Sequence, residues 1–286
     1  MKHLFLMAIL FSITLISCKK KHEPVVMKEI LLRQDANHGN ILTDKEGRSL
    51  YFFANDANGQ NTCTGSCETG WPVFYIENIS QSSLAQGLLL ADFKTITTAQ
   101  GKKQLTYKGW PLYYYAPMKE GGVNEREMPL KVTGDGFNNA WFVAKPDYSI
   151  MIANTQLIGA DGKNYLGNYT EGNGKTAYFT NDKGLTLYTF SKDSINKNKF
   201  TKADFSNNNI WPIYETDKVN VPSVLNKTLF SSISVFGKKQ LTYKGWPLYY
   251  FGADNQMRGS NKGVSQPTPG TWPVAVKEMN SAPEPN

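Results

Sequence analysis

Histidine and cysteine are scarce, and the scarcity excludes much. Three of each occur in 286 residues. There is no Gly-x-Ser-x-Gly elbow, Walker loop, His-Glu-x-x-His or haem-attaching Cys-x-x-Cys-His, which removes the readings those motifs carry. No particular pair of carboxylates is singled out for acid–base work, so the chain is expected not to be an enzyme. His22 lies on a polar stretch, and His38, beside Gly39, reads as a turn residue. Helix-period patterns are also few; residues 78–93 are the best candidate for a short helix or an irregular excursion.

A strong charge of one sign is missing too. The chain carries 31 basic and 24 acidic residues, a formal +7. Without residues 1–17 and Lys19, Lys20 and Lys21 the balance is 27 against 24. Nucleic-acid binding calls for a concentrated basic face. The local concentrations, Lys102-Lys103, Lys238-Lys239 and 196–202, fall in expected turns or loops, so no nucleic-acid partner is expected.

At the N-terminus, Lys2 precedes an apolar run from Leu4 to Ile16, followed by Leu15-Ile16-Ser17-Cys18. The run is shorter than the roughly 20 residues of a membrane span and has the proportions of a signal-peptide core. Its end resembles the lipobox of a bacterial lipoprotein. Residues 1–17 are therefore expected to be removed, leaving Cys18 lipidated and residues 18–29 as a tether to the membrane. Lys19 is not the aspartate that retains lipoproteins in an inner membrane, so outer-membrane placement follows if the host has one. The tether lacks an acidic cluster of the kind that resembles surface-export signals, so the body is expected to face the periplasm.

The two remaining cysteines, Cys63 and Cys67, are expected to pair as a disulfide, since an isolated close pair in an oxidising compartment is most simply a staple. The competing reading is a redox or copper site. The flanking sequence, Asn61-Thr-Cys-Thr-Gly-Ser-Cys-Glu68, supplies an acid and no base to activate a thiol.

What the chain has in abundance is repetition and aromatic residues. GKKQLTYKGWPLYY occurs at Gly101–Tyr114 and again at Gly237–Tyr250, a duplication that sets the architecture. Tyr51 with Tyr188, Trp71 with Trp211 and Trp141 with Trp272 recur at similar offsets. Strand signals dominate: Gly39–Phe53, 176–190, Lys103–Tyr115 and 239–251 each read as a hairpin, followed by Trp71, Trp141, Trp211 or Trp272 opening a strand. The expected fold is all-β, with two tandem homologous units, 30–146 and 147–278, each of two hairpin-plus-Trp-strand modules. They are expected to be sandwich- or barrel-like, with a ring of four modules left open. Leu50, Leu112, Leu187 and Leu248 are spaced by 62, 75 and 61 residues, which fits two paired units better than four equal blades. Residues 279–286 are expected to form a loose tail.

Three segments share the pattern Tyr, any residue, aromatic, two residues, Asp: Tyr51/Phe53/Asp56, Tyr188/Phe190/Asp193 and Tyr249/Phe251/Asp254. Together with the Cys63–Cys67 segment and the duplicated string, they make the chain resemble the secreted-repeat lipoprotein family defined by a Tyr-x4-Asp motif. The family carries no assigned activity, so the resemblance names no chemistry. At the second hairpin Met118 stands where Asp is expected, and a site requiring that Asp is expected to be dead there. The aspartates are read first as caps of the turns that follow. Calcium at the aspartates and copper at the cysteines are the cofactors left open, and none is expected. Trp110, Tyr113, Tyr115, Trp246 and Tyr249 are candidates for an aromatic surface that stacks on a glycan. The functional expectation is a non-catalytic binding or structural module of the envelope, with a glycan or envelope protein as partner. The alternative is a redox or metal-handling accessory using Cys63 and Cys67.

Overall fold

The computed structural model describes residues 27–285. The expected signal peptide, Cys18 and the expected tether up to residue 26 lie outside the described residues. Among the described residues no helix is long and apolar enough to cross a membrane.

The first half contains β1 (Ile30–Asp35), β2 (Gly39–Asp44), β3 (Tyr51–Phe53), a short helix α1 (Ser66–Gly70), β4 (Phe93–Thr97), β5 (Lys103–Tyr107), β6 (Trp110–Pro111) and β7 (Trp141–Val143). The second contains β8 (Met151–Ile158), β9 (Asn164–Tyr165), β10 (Lys175–Thr180), β11 (Phe230–Val235), β12 (Lys238–Tyr243) and β13 (Trp246–Pro247). The expected all-β class is met. Among the described residues the strands form several small antiparallel sheets, β1-β2, β3-β7, β4-β5-β6, β10-β8-β9 and β11-β12-β13, and no closed barrel. Residues 78–93 are the irregular excursion, with short 3₁₀ turns at Gln81–Ser83 and Leu90–Asp92.

Both copies of the duplicated string form the same structure. β5 pairs with β6 through Tyr107 opposite Trp110, and β12 with β13 through Tyr243 opposite Trp246. The two-residue turns between them, Lys108-Gly109 and Lys244-Gly245, hold positive φ at both positions. That is the backbone that matches the twist of a tight hairpin.

The Trp segments pair differently from expectation. Of Trp71, Trp141, Trp211 and Trp272, Trp141 alone opens a strand; proline after the other three removes a ladder donor, and each of these segments contributes a bridge, at Val73, Ile213 and Val274. The pairing is crossed. Tyr51 of the first hairpin pairs with Val143, which follows the second hairpin, whereas Tyr113 of the second pairs with Val73, which precedes it. Tyr188 with Val274 and Tyr249 with Ile213 repeat the crossing. The hairpin-plus-Trp modules are thus interleaved within each half.

Leu50, Leu112, Leu187 and Leu248 are all fully buried. The largest hydrophobic cluster draws on both halves, from Ile30, Phe52 and Trp110 to Tyr188, Trp211 and Val264. The tail is docked: Ile195 N donates to Pro283 O at 2.7 Å, Ala282 N donates to Lys244 O at 2.9 Å, and Ala282 is buried. Met279 packs against a second cluster around Leu241 and Tyr243, which gives the tail an apolar anchor. His38 lies in the β1–β2 turn, as read, with Nδ1 2.7 Å from Asp35 and Nε2 3.2 Å from Asp135.

Candidate functional site

Crossed pairing brings the motif tyrosines side by side. Tyr51 N donates to Tyr113 O at 2.9 Å and Tyr113 N to Tyr51 O at 3.0 Å; Tyr188 and Tyr249 exchange the same two bonds at 2.8 and 2.9 Å. Each half therefore has a local two-fold relation about its tyrosine pair. All four rings are fully buried, so each hydroxyl needs a partner inside the protein.

The partner is a carboxylate from the opposite hairpin. Tyr113 Oη donates to Asp56 Oδ2 at 2.6 Å, Tyr188 Oη to Asp254 Oδ2 at 2.7 Å, and Tyr249 Oη to Asp193 Oδ2 at 2.8 Å. Tyr51, whose partner position holds Met118, bonds instead to Glu127. The site expected to be dead is built from a different residue. Met118 points outward, 68% exposed, and the longer Glu127 side chain supplies the oxygen from further along the loop.

The second oxygen of each carboxylate organises a loop. Asp56 Oδ1 accepts from Thr62 N and Thr62 Oγ1 at 2.8 and 2.6 Å, and Glu127 Oε2 accepts from Thr133 N and Thr133 Oγ1 at 2.9 and 2.8 Å. Asp193 Oδ1 accepts from Lys199 N at 2.7 Å. Asp254 Oδ1 accepts from Ser260 Oγ and Lys262 N at 2.8 and 2.9 Å. Each acid therefore binds its loop six residues on, with a further contact at Lys262 for Asp254. Turn capping, the expected role of the aspartates, is present over a longer loop than expected. Glu127 was missed from sequence, although Glu127 and Thr133 have the spacing of Asp56 and Thr62.

Burial dominates the electrostatics. It pushes the Asp56 carboxyl up to about 6, against the hydrogen bonds from Thr62 and Tyr113 that favour its charged form. Burial likewise raises Asp193 to about 6 and shifts Asp254 upward. The four tyrosines are raised by burial and then by the facing carboxylates, so each hydroxyl remains a protonated donor.

Around each tyrosine pair lies a four-ring stack. Trp71 and Trp141 are parallel with centroids 3.8 Å apart; Phe53 lies 4.1 Å beyond Trp141 and Tyr115 lies 4.4 Å beyond Trp71. In the second half Trp211 and Trp272 stack at 3.8 Å, flanked by Phe251 at 4.4 Å and Phe190 at 4.3 Å. The motif aromatics are the outer layers, and tyrosine edges meet the tryptophan faces, as in Tyr113 against Trp141 and Tyr249 against Trp272. Edge-to-face and offset contacts suit the ring quadrupole.

The expected aromatic surface is not formed. Trp110, Tyr113 and Tyr249 are fully buried, and only Tyr115 and Trp246 of that set are half-buried. The reason is the crossed pairing, which turns the tyrosines inward, together with Arg258, whose guanidinium lies 4.8 Å from the Trp110 ring centroid. Accessible ring surface lies instead at the outer layers. A cleft of about 520 Å³ is bordered by Tyr115, Phe137, Asn55, Asn124 and Asn154, and one of about 600 Å³ by Phe251, Asn209, Asn255 and Gln256.

Cys63 and Cys67 are bonded, S–S 2.02 Å. Cys63 is buried against the Trp71–Trp141 cluster, with Cys67 half-buried on α1. Phe200 follows Lys199 as Cys63 follows Thr62, and its ring meets Trp272 and Tyr249 edge-on. An aromatic ring thus fills in the second half the place the disulfide holds in the first. Among the described residues no three His, Cys, Asp or Glu side chains come together as a metal-binding group.

Three stretches of the chain, residues 34–75, 94–123 and 234–276, match a family model described as a secreted repeat of unknown function. No curated protein and no solved structure matches the chain.

Proposed function

We propose, from the match of three stretches to a secreted-repeat model, that the protein is an extracytoplasmic module of the cell envelope, held to a membrane by lipid on Cys18, and that its repeats form a non-catalytic scaffold. The observation behind the reading is the crossed bonding of the motif: tyrosine and carboxylate satisfy one another inside the protein, and each acid also holds the loop that follows it. Groups used in this way join hairpins and are not themselves open to a substrate. The Cys63–Cys67 bond reads as a third local tie, since Phe200 replaces it in the other half.

Binding on this scaffold falls to the two clefts at the outer ends of the ring stacks. Half-buried aromatic edges with several amide side chains suit a neutral, hydroxyl-rich ligand such as a glycan, which takes hydrogen bonds from amides and apolar contact from rings. An outer-membrane position follows from Lys19 if the host has two membranes, and the lack of an acidic cluster after Cys18 favours the periplasmic face.

The test is intact mass, native and denatured, on residues 19–286 secreted without lipid and purified without chelators. An apo native mass, with a denatured mass two hydrogens below the reduced chain, is expected. A stoichiometric metal or cofactor adduct with Cys63 and Cys67 reduced would replace the scaffold with a metal or redox protein. For the anchor, Cys18→Ala in the full chain is expected to move the protein from the membrane to the soluble fraction; retention on the membrane would refute lipidation.

A further inference from the structure

The duplicated Lys-Gly-Trp turn makes corresponding bonds in both halves, with one addition in the first, where Lys108 Nζ also donates to Asp182 Oδ2 at 2.7 Å. In the first half Trp110 Nε1 donates to Asp182 O at 2.9 Å, Lys108 Nζ donates to Pro146 O at 2.8 Å, and Lys108 O accepts from Arg258 Nη1 at 2.9 Å. Those partners belong to the second half or to the connection leading into it. In the second half Trp246 Nε1 donates to Asn280 O at 2.9 Å, and Lys244 Nζ donates to Lys277 O and Met279 O at 2.9 and 2.8 Å. Lys244 O accepts from Ala282 N at 2.9 Å. The tail thus meets the second turn as the connection and second half meet the first.

From this correspondence we infer that the Lys-Gly-Trp turn is a docking site for an extended polypeptide segment, read mainly through its main-chain carbonyls. The first copy joins the two halves. The second is a peptide-binding site whose resident is the chain's own residues 277–283.

Three observations support a built site. Indole and ammonium donors, with the turn carbonyl as acceptor, are reproduced: Pro146 and Lys277 lie at equivalent places, five residues after Trp141 and Trp272, whereas the indole acceptors Asp182 and Asn280 lie in unrelated stretches. At both turns the glycine allows close approach. A Cβ on Gly109 would fall 2.0 Å from Arg258 Nη1, and one on Gly245 would fall 2.5 Å from Ile195 Cγ1. The two covers also differ in completeness: Trp110 is fully buried under Arg258, whereas Trp246 stays half-buried beneath the tail. A terminal segment of exposed residues, anchored by Met279 and Ala282, can leave this site while the first copy stays locked within the fold.

The test has two arms. In the full chain from residue 19, Lys244→Ala combined with Trp246→Phe is expected to speed hydrogen exchange at the Ala282 amide at least tenfold. Exchange at the Leu241 amide, which donates to Tyr214 O within the sheet region, should be unchanged. A chain ending at Val276 is expected to bind a labelled synthetic peptide of residues 277–286 with one-to-one stoichiometry, read by fluorescence anisotropy. Trp246→Phe should weaken that binding about two- to tenfold, the loss of one hydrogen bond. A folded truncated chain that ignores the peptide, or binds it equally well without Trp246 and Lys244, would overturn the inference. Should truncation prevent folding, unchanged exchange at Ala282 in the full-length variant overturns it alone.

Discussion

Tyr188 donates its hydroxyl to Asp254, 66 residues away in the chain, at 2.7 Å, and not to Asp193 of its own motif. Asp193 in turn takes the hydroxyl of Tyr249 at 2.8 Å. The motif is therefore half of an interaction, completed by an acid of the opposite hairpin or, for Tyr51, by Glu127 from further along the loop. Each acid also ties its own following loop, so one side chain connects a hairpin, its partner hairpin and a loop.

Removing a donor hydroxyl tests this. Tyr113→Phe, Tyr188→Phe and Tyr249→Phe each leave a buried carboxylate without its partner and are expected to cost about 1.5–3 kcal/mol. Urea denaturation of residues 19–286 measures the cost. Tyr75→Phe, at a half-buried ring, should stay within about 0.5 kcal/mol. Equal effects at all four positions would contradict the crossed pairs.

The substitute acid at the irregular hairpin gives a sharper comparison. Glu127→Ala strands the Tyr51 hydroxyl and the Thr133 amide and is expected to cost about 2–4 kcal/mol. Met118→Asp, which restores the sequence pattern at an exposed position, is expected to change stability by less than about 0.5 kcal/mol. Thermal or urea unfolding of the two variants decides between motif position and geometry.

Buried aspartates give stability a pH dependence of definite sign. Asp56 and Asp193 hold their protons up to about pH 6 in the fold, whereas an unfolded aspartate releases its proton near 4. Between these values the folded state binds more protons, so this contribution is full below about pH 4 and declines as pH rises to about 6, then levels off. Asp193→Asn is expected to flatten that part of the profile. Urea midpoints at pH 4, 5, 6 and 7 for both proteins measure the difference, and identical slopes would rule out a buried, protonatable Asp193.

The disulfide closes a loop of five residues, for which chain entropy predicts about 2 kcal/mol of stabilisation. Cys63→Ala with Cys67→Ala is expected to lower stability by about that amount and leave a folded protein, since the equivalent loop of the second half folds around Phe200 with no cysteine. Near-ultraviolet circular dichroism checks that the tryptophan stacks persist.

Much of the local structure was legible in the residues. The Lys-Gly turns have the composition of two-residue hairpins, and both were found where the duplicated string places them. The four leucines marked equivalent positions, and the close cysteine pair marked a disulfide. Local chemistry decides such features, because a turn or a short loop closes among neighbours in sequence. Glu127 could have been found from its six-residue spacing to Thr133. Arg258 could not, because nothing near it in the chain shows that its guanidinium covers Trp110 and bonds Ala57 O and Lys108 O, at 2.9 Å each.

Sequence by itself determined the duplication, the β class, the hairpins and the inventory of rings and acids. Only the tertiary structure decided which tyrosine meets which acid, that the Trp segments cross between hairpins, and that the tail occupies the last Lys-Gly-Trp turn. The physical reason is that hydrogen bonds between buried groups depend on proximity in space. Several acids and several carbonyls are chemically equal candidates for each donor until packing excludes all but one.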